Sequence, residues 1–344
     1  MIASTENLVL RRASQAQVHQ THLNHFESWG KKLTLDLYIR REVALGDTSF
    51  SKENIRVWVL CRETDPESLG FMCSCETYER PIRYSDSQDG TVAQGSCHSV
   101  ASVFTPLRFR TKGYASLMMN KLAETLKSEG AMASALYSDI GELFYARLGW
   151  KVHPSISYNF NPKDCLENSP SLTTRSEVKF VTSIEDLSQI LQRENARSLE
   201  LLKNSPKPTV YMPFLVDCYV WYLTRSQFYA REFKLKTPTE FGATVGKSSF
   251  ILWNHDLKDR SLLVLKCYAE TQGEFDALVN CAMEEASSHD LPKLVLWNLD
   301  PKIATSSHFK AQVEKRKGSL GSLAFWGNAG NAVEWIGNEN YAWV

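Results

Sequence analysis

Arg108, Arg110 and Lys112 stand at alternate positions, and Gly113 and the small Ala115 follow within three residues. Cationic side chains beside a glycine suit a phosphate, provided that the chain also turns backbone N–H groups toward the same point. The flanking residues supply that turn. "CHSVASVFTP" reads as a strand ending at Pro106, and 115–128 reads as an amphipathic helix with Leu117, Met118, Leu122 and Leu126 on one side. Strand, loop and helix start together aim unpaired amides and the positive end of the helix dipole at one place. Thr111 and Tyr114 complete the loop, and Gly113 lets the backbone approach a ligand closely.

Two other phosphate motifs fail. A dinucleotide fingerprint needs GxGxxG, and this loop has one glycine. "GATVGKSS" at 242–249 comes near GxxxxGK[ST] but lacks one intervening residue, and it runs into strand-like "FILW" where a helix should open. His19, His22 and His25 share a helix face without a neighbouring carboxylate or cysteine, and a solvated or half-buried face is the reading taken. The eight cysteines show no CxxC pair or framework spacing, which suits reduced thiols in a cytosol-like compartment.

The chain has 344 residues, and Lys+Arg and Asp+Glu are equal at 39 each. Balanced charge gives no global field for nucleic acid or an anionic membrane, so a basic site must be local. No window reaches the roughly 18 apolar residues of a membrane span, and the sequence reads as cytoplasmic. Along the chain come a strand at 8–14, helical periodicity over 15–45 broken near Trp29-Gly30, and a hairpin from "IRVWVLCRE" and "LGFMCSCETYER". The basic loop and its helix follow, then the strand "MASALYSDI", the short helix "ELFYARLG" and a last strand "WKVHPSISYNF". Residues 161–176 are polar with two prolines and read as a linker. Beyond it a similar order returns, with helices at 184–204, 215–234 and 273–289 and a hairpin from "SSFILWNHD" and "SLLVLKCYAE". Element order therefore predicts a mixed α/β sheet in each half, a weak internal repeat, and no second copy of the basic loop.

Arg110-x-x-Gly113-x-Ala115 resembles the [QR]xxGx[GA] signature of the GCN5-related N-acetyltransferases, and "FYARLGW" at 144–150 resembles the FYxxxGF segment after that family's fifth strand. The resemblance covers residues 8–160 in element order. It implies an acyl-CoA N-acyltransferase fold over 1–160 and, after the linker, a degenerate GNAT-like domain over 177–344 acting as lid or pocket wall. It implies acetyl-CoA as co-substrate and no metal. The loop from Arg108 to Ala115 would hold the pyrophosphate, and main-chain groups of Val103, Phe104 and Thr105 would run beside the pantetheine arm. Three positions depart from the family pattern. Pro106 and Arg110 stand one residue further apart than usual, Ser138 replaces an Asn that could touch the cofactor, and Gly141 replaces an Ala.

The same resemblance makes Tyr145 the acid that protonates the leaving thiolate, with strand amides near Phe104 as oxyanion donors. Removing a proton from an alkyl ammonium of pKa about 10.4 needs a base. Glu76 and Glu79, where the family's third strand borders the acceptor, are both candidates for base or cation anchor, or are a solvated strand end. The terminal carboxylate of Val344 is another candidate, since "EWIGNENYAWV" stays apolar and aromatic to its last residue. "CETYER", "NENYAWV" and the two-half arrangement are similar to the fungal lysine N6-acetyltransferases that begin lysine catabolism. That likeness implies free L-lysine as acceptor, its carboxylate held by Arg80 or Arg83. A peptide or polyamine acceptor, or an acetyl-CoA sensor without turnover, stays open, as does the oligomeric state.

Overall fold

The computed structural model describes residues 7–86, 90–163, 178–300, 303 and 309–343; Val344 and all but the first residues of the expected linker lie outside them. The first half runs β1 (Leu8–Arg12), α1 (Gln15–Trp29), α2 (Leu35–Gly46), α3 (Ser49–Asn54), β2 (Ile55–Arg62), β3 (Cys73–Ser85), β4 (Val92–Phe104), α4 (Tyr114–Ser128), β5 (Ala133–Ser138), α5 (Leu143–Ala146), β6 (Lys151–Val152) and β7 (Ile156–Phe160). The second runs β8 (Lys179–Val181), α6 (Ile184–Lys203), β9 (Thr209–Tyr211), α7 (Val216–Glu232), β10 (Gly242–Val245), β11 (Ser249–Asp256), β12 (Ser261–Tyr268), α8 (Gln272–Ser288), β13 (Leu294–Trp297), β14 (Gln312–Lys315), β15 (Leu320–Phe325) and β16 (Glu334–Ile336). Ser14 accepts from the Gln17 amide and Thr34 from the Leu37 amide, so hydroxyl caps start α1 and α2 on either side of the break at Gly30.

Two mixed sheets result, and their pairing repeats. In the first, β1-β2-β3-β4 are antiparallel neighbours and β4 pairs β5 in parallel; in the second, β8-β10-β11-β12 are antiparallel and β12 pairs β13 in parallel. A helix makes each parallel crossover, α4 in one half and α8 in the other. The order-based repeat is thus present in the strand pairing.

The sixth place in each sheet is filled from the other half. β15 lies antiparallel to β5, and β7 lies antiparallel to β13; β6 then borders β15, and β14 borders β7. The expected single strand over 150–160 is therefore two strands. Pro154 has no N–H to give a ladder, and the chain leaves one sheet there and enters the other.

A shared core holds the halves together. Leu45, Phe50, Tyr78 and Ile82 pack in one buried cluster with Tyr211, Phe214, Tyr219, Trp221 and Tyr341. A second cluster lies under α4, which buries Met118, Met119, Leu122 and Leu126 against Cys73, Cys75 and Val100. His25, expected on a solvated or half-buried face, is instead buried edge-on to Trp29 and Phe104, and burial lowers its pKa to about 3. None of the seven described cysteines forms a disulfide. Among the described residues no helix is long and apolar enough to cross a membrane.

Candidate active site

β4 pairs β5 only from Cys97 to Val100, and residues 101–104 continue beyond that pairing. The two parallel strands separate there and open a cleft. Opposite β3, Ser74 faces Phe104 while Glu76 faces Ala101, so β4 carries one extra residue at this point. Such a bulge re-aims a side chain. Ser102 takes φ +53° within it, and its hydroxyl donates to Glu76 Oε2 at 2.9 Å.

Glu76 is 8% exposed and borders a cavity of about 900 Å³. Burial and the neighbouring Glu42 carboxylate raise its pKa to about 7, against the opposing bond from Ser102 and the charge of Arg41. A carboxylate with that pKa exchanges a proton near neutrality. Tyr145 on α5 lines the same cavity; burial, with nearby Cys75 and Cys73, keeps its hydroxyl protonated by raising its pKa. Its ring stands edge-on to Phe144 at 4.9 Å. Val103 also lines the cavity, whereas the Phe104 ring turns away and packs against His25 and Trp29. Thr105 donates to Cys73 Sγ at 3.3 Å, and its carbonyl accepts from Arg110 Nε at 2.9 Å.

The basic loop is short and exposed. Leu107–Phe109 form a 3-10 turn, Thr111 takes φ +64°, and Gly113 at φ +83° caps α4 without any side-chain bond. An added Cβ at Gly113 would meet nothing within 4 Å, so the glycine serves its backbone conformation rather than space. The first helical bond runs from the Leu117 amide to the Gly113 carbonyl at 3.0 Å, which leaves the amides of Tyr114, Ala115 and Ser116 without a helical acceptor. Arg108 and Lys112 flank the Phe109 ring, and Arg110 lies over Phe104, all three cations exposed. The arrangement fits a diphosphate, with amides at the centre and exposed cations around them.

Other expected site residues lie elsewhere. Glu79 points to the opposite face of β3, where Arg56 donates to it at 2.7 Å. Arg80 is 1% exposed, and its Nη1 donates to the carbonyls of Tyr341 and Ala342 at 3.3 and 3.1 Å, so it anchors the final segment and does not line the cavity. Arg83 sits where β3 pairs β9, also outside the lining. Strand alternation explains this: i and i+1 face opposite sides, and i+4 is about 13 Å further on. Ser138 caps a turn instead of facing the cleft, donating to the Gly141 carbonyl at 2.8 Å. Val344 is outside the described residues, but Trp343 before it lines the cavity.

Sequence reasoning expected the second half as lid or pocket wall but named none of the residues that form it. Trp221, Tyr222 and Arg225 of α7 and Asn254, Asp256, Lys258 and Asp259 at the β11–β12 turn complete the cavity from the second half. Their spacing carries no motif, so no signal in the sequence marks them. Also missed was a buried group away from the cavity: His255 Nε2 lies 2.7 Å from Glu285 Oε1, with His289 Nδ1 at 3.2 Å from the same oxygen. These three residues are the described group that could hold a metal ion.

Comparison with known proteins agrees with this geometry. The family described as "LYC1 GNAT-like C-terminal domain" matches residues 164–344, and the chain belongs to it. A "Lysine acetyltransferase" of Yarrowia lipolytica is 26% identical over 321 residues, covering 80% of each chain. Among solved structures, a GCN5-related N-acetyltransferase from Kribbella flavida superposes with a TM-score of 0.59 at 15% identity, covering 93% of this chain and 72% of that one. A probable N-acyltransferase from Enterococcus faecalis gives 0.60 at 11% identity with the same coverages. The protein is an N-acetyltransferase of the GCN5-related type, built from two GNAT-like halves.

Proposed function

We propose that this protein transfers the acetyl group of acetyl-CoA to the ε-amine of free L-lysine, in a ternary complex. The observation that carries the reading is the convergence of Glu76 and Tyr145 on one cavity closed by the second half. The 26% identical relative named for lysine acetylation supports the choice of acceptor.

The open start of α4 would hold the pyrophosphate, with Arg108, Arg110 and Lys112 around it and Thr111, Gly113, Tyr114 and Ala115 shaping the backbone. The separated end of β4, Val103 to Thr105, would place the thioester beside Glu76, with a main-chain amide near Phe104 as oxyanion donor. Glu76 takes the proton of the lysine ammonium. The freed nitrogen attacks the carbonyl carbon, a C–N bond forms, and the C–S bond breaks. Tyr145 gives its proton to the departing thiolate, the second proton lost by the nitrogen as the amide forms restores the tyrosine hydroxyl, and the proton on Glu76 passes to solvent. Each proton transfer contributes about 10²–10⁴-fold.

CoA release followed with a thiol reagent, using L-lysine, spermidine, a lysine-rich peptide and no acceptor in parallel, tests the reading. Release that depends on L-lysine is expected. Release with spermidine or the peptide alone would reassign the acceptor, and acetyl-CoA binding without release would leave a sensor.

A further inference from the structure

The second-half wall carries charge that the chemistry at Glu76 does not use. Arg225 projects from α7 into the cavity, half-buried, with its guanidinium over the Trp343 ring at 5.5 Å. Lys258 lines the same cavity from the β11–β12 turn. Among the described residues neither side chain forms an ion pair, whereas the other arginines of the lining are engaged: Arg41 with Glu42 and Tyr229, Arg56 with Glu79 and Glu129, and Arg12 with Glu129. Burial, then Arg225, lowers the Lys258 pKa, with Asp259 and Asp256 opposing the shift. Like charges held together beside a cavity favour an anion between them.

Two carboxylates adjoin them. Asp256 and Asp259 line the cavity from the same turn, and Asp256 Oδ1 accepts the Asp259 amide at 3.1 Å. A wall with two cations and two anions matches a zwitterion, not a simple amine. Glu76, Arg41, Arg225 and Lys258 all line this one cavity, so the cation pair and the base border the same space. Extended lysine spans roughly 7 Å from its ε-nitrogen to its carboxylate.

Resting on the proposed acetyltransferase reading, we propose that Arg225 and Lys258 bind the α-carboxylate of the acceptor, with Asp256 and Asp259 facing its α-ammonium. The second half thereby restricts the enzyme to free α-amino acids with a distal primary amine. A peptide-embedded lysine lacks both charged head groups, and a diamine lacks the carboxylate.

The test compares L-lysine with cadaverine, the same amine without the carboxylate, in wild type, Arg225→Gln, Arg225→Lys and Lys258→Gln. Wild type should favour L-lysine by at least about tenfold in kcat/KM. Arg225→Gln should lower kcat/KM for L-lysine about 10–100-fold, mainly through KM, and leave cadaverine within about twofold. Arg225→Lys should restore part of the loss, and the KM for acetyl-CoA should stay constant. Equal effects on both acceptors, or none, would overturn the subsite while leaving the acetyltransferase reading standing. Should wild type turn over neither acceptor, calorimetric binding decides separately: L-lysine binding weakened in Arg225→Gln sustains the subsite, and equal or absent binding removes it.

Discussion

α4 and α8 make the same crossover in the two halves, yet their starts are chemically opposite. α4 opens on Gly113 with no side-chain cap and no acidic residue in its first turn, among three exposed cations. α8 opens on Thr271, whose hydroxyl accepts from the Glu274 amide at 3.2 Å while Glu274 Oε2 accepts from the Thr271 amide at 3.0 Å. This capping box fills the anion position with the chain's own carboxylate. One fold repeated twice thus leaves the helix start open in the first half and fills it with a carboxylate in the second. The sealed half is free to act as the far wall of the other half's cavity.

The comparison breaks most sharply at the chemistry. Glu76→Gln and Tyr145→Phe should each lower kcat by about 10²–10⁴-fold in steady-state assays with acetyl-CoA affinity unchanged. For wild type, kcat/KM should rise with pH through about 7, where Glu76 is half ionised, and level off roughly one unit higher. Activity that survives both substitutions would move catalysis out of the first half.

The next effect is on stability. A carboxyl whose folded pKa, about 7, exceeds its ordinary value of 4.5 binds its proton more tightly in the fold. Its contribution is complete below the lower value and is lost as pH rises through the upper one, a swing of up to about 3 kcal/mol. Thermal melts of Glu76→Gln should therefore exceed wild type at pH 8, with the gain shrinking toward pH 4.

Smaller effects separate the two helix starts. Gly113→Val must place a branched side chain at φ +83°, costing about 1–2 kcal/mol, and Arg110→Ala removes a cation from the mouth; both should raise the KM for acetyl-CoA about tenfold. Thr271→Ala at the sealed start should cost about 1 kcal/mol in denaturant unfolding and leave that KM alone. A change in acetyl-CoA affinity from Thr271→Ala would show that the second mouth is not sealed.

The elements that can be read locally were legible in sequence. α4, with its apolar side and the loop before it, is set by residues within one stretch, and so are the hairpins β2–β3 and β11–β12. Tyr145 was reached through a motif, and Glu76 through its place on a strand. Arg80 was expected at the acceptor's carboxylate, but its partners are main-chain carbonyls 261 and 262 residues away, which no local pattern reveals. The division at residue 160 did not foresee that β7 would join the second sheet and β15 the first. Strand partners are chosen by tertiary packing, and a local pattern of alternating residues fits either sheet equally.

By itself the sequence determined most of the longer helices and the two hairpins, because periodicity, hydroxyl caps and the glycine at positive φ act over a few residues. It also determined the open, cation-flanked start of α4, since loop and helix start are contiguous. Only the tertiary structure decided which ionisable groups share the cavity. Burial next to Glu42 raises Glu76, strand alternation turns Glu79 away, and α7 brings Arg225 to a space bounded by the other half. A pKa and a pocket wall depend on what surrounds a residue in space, and that is fixed when the two sheets exchange strands and close on a common core.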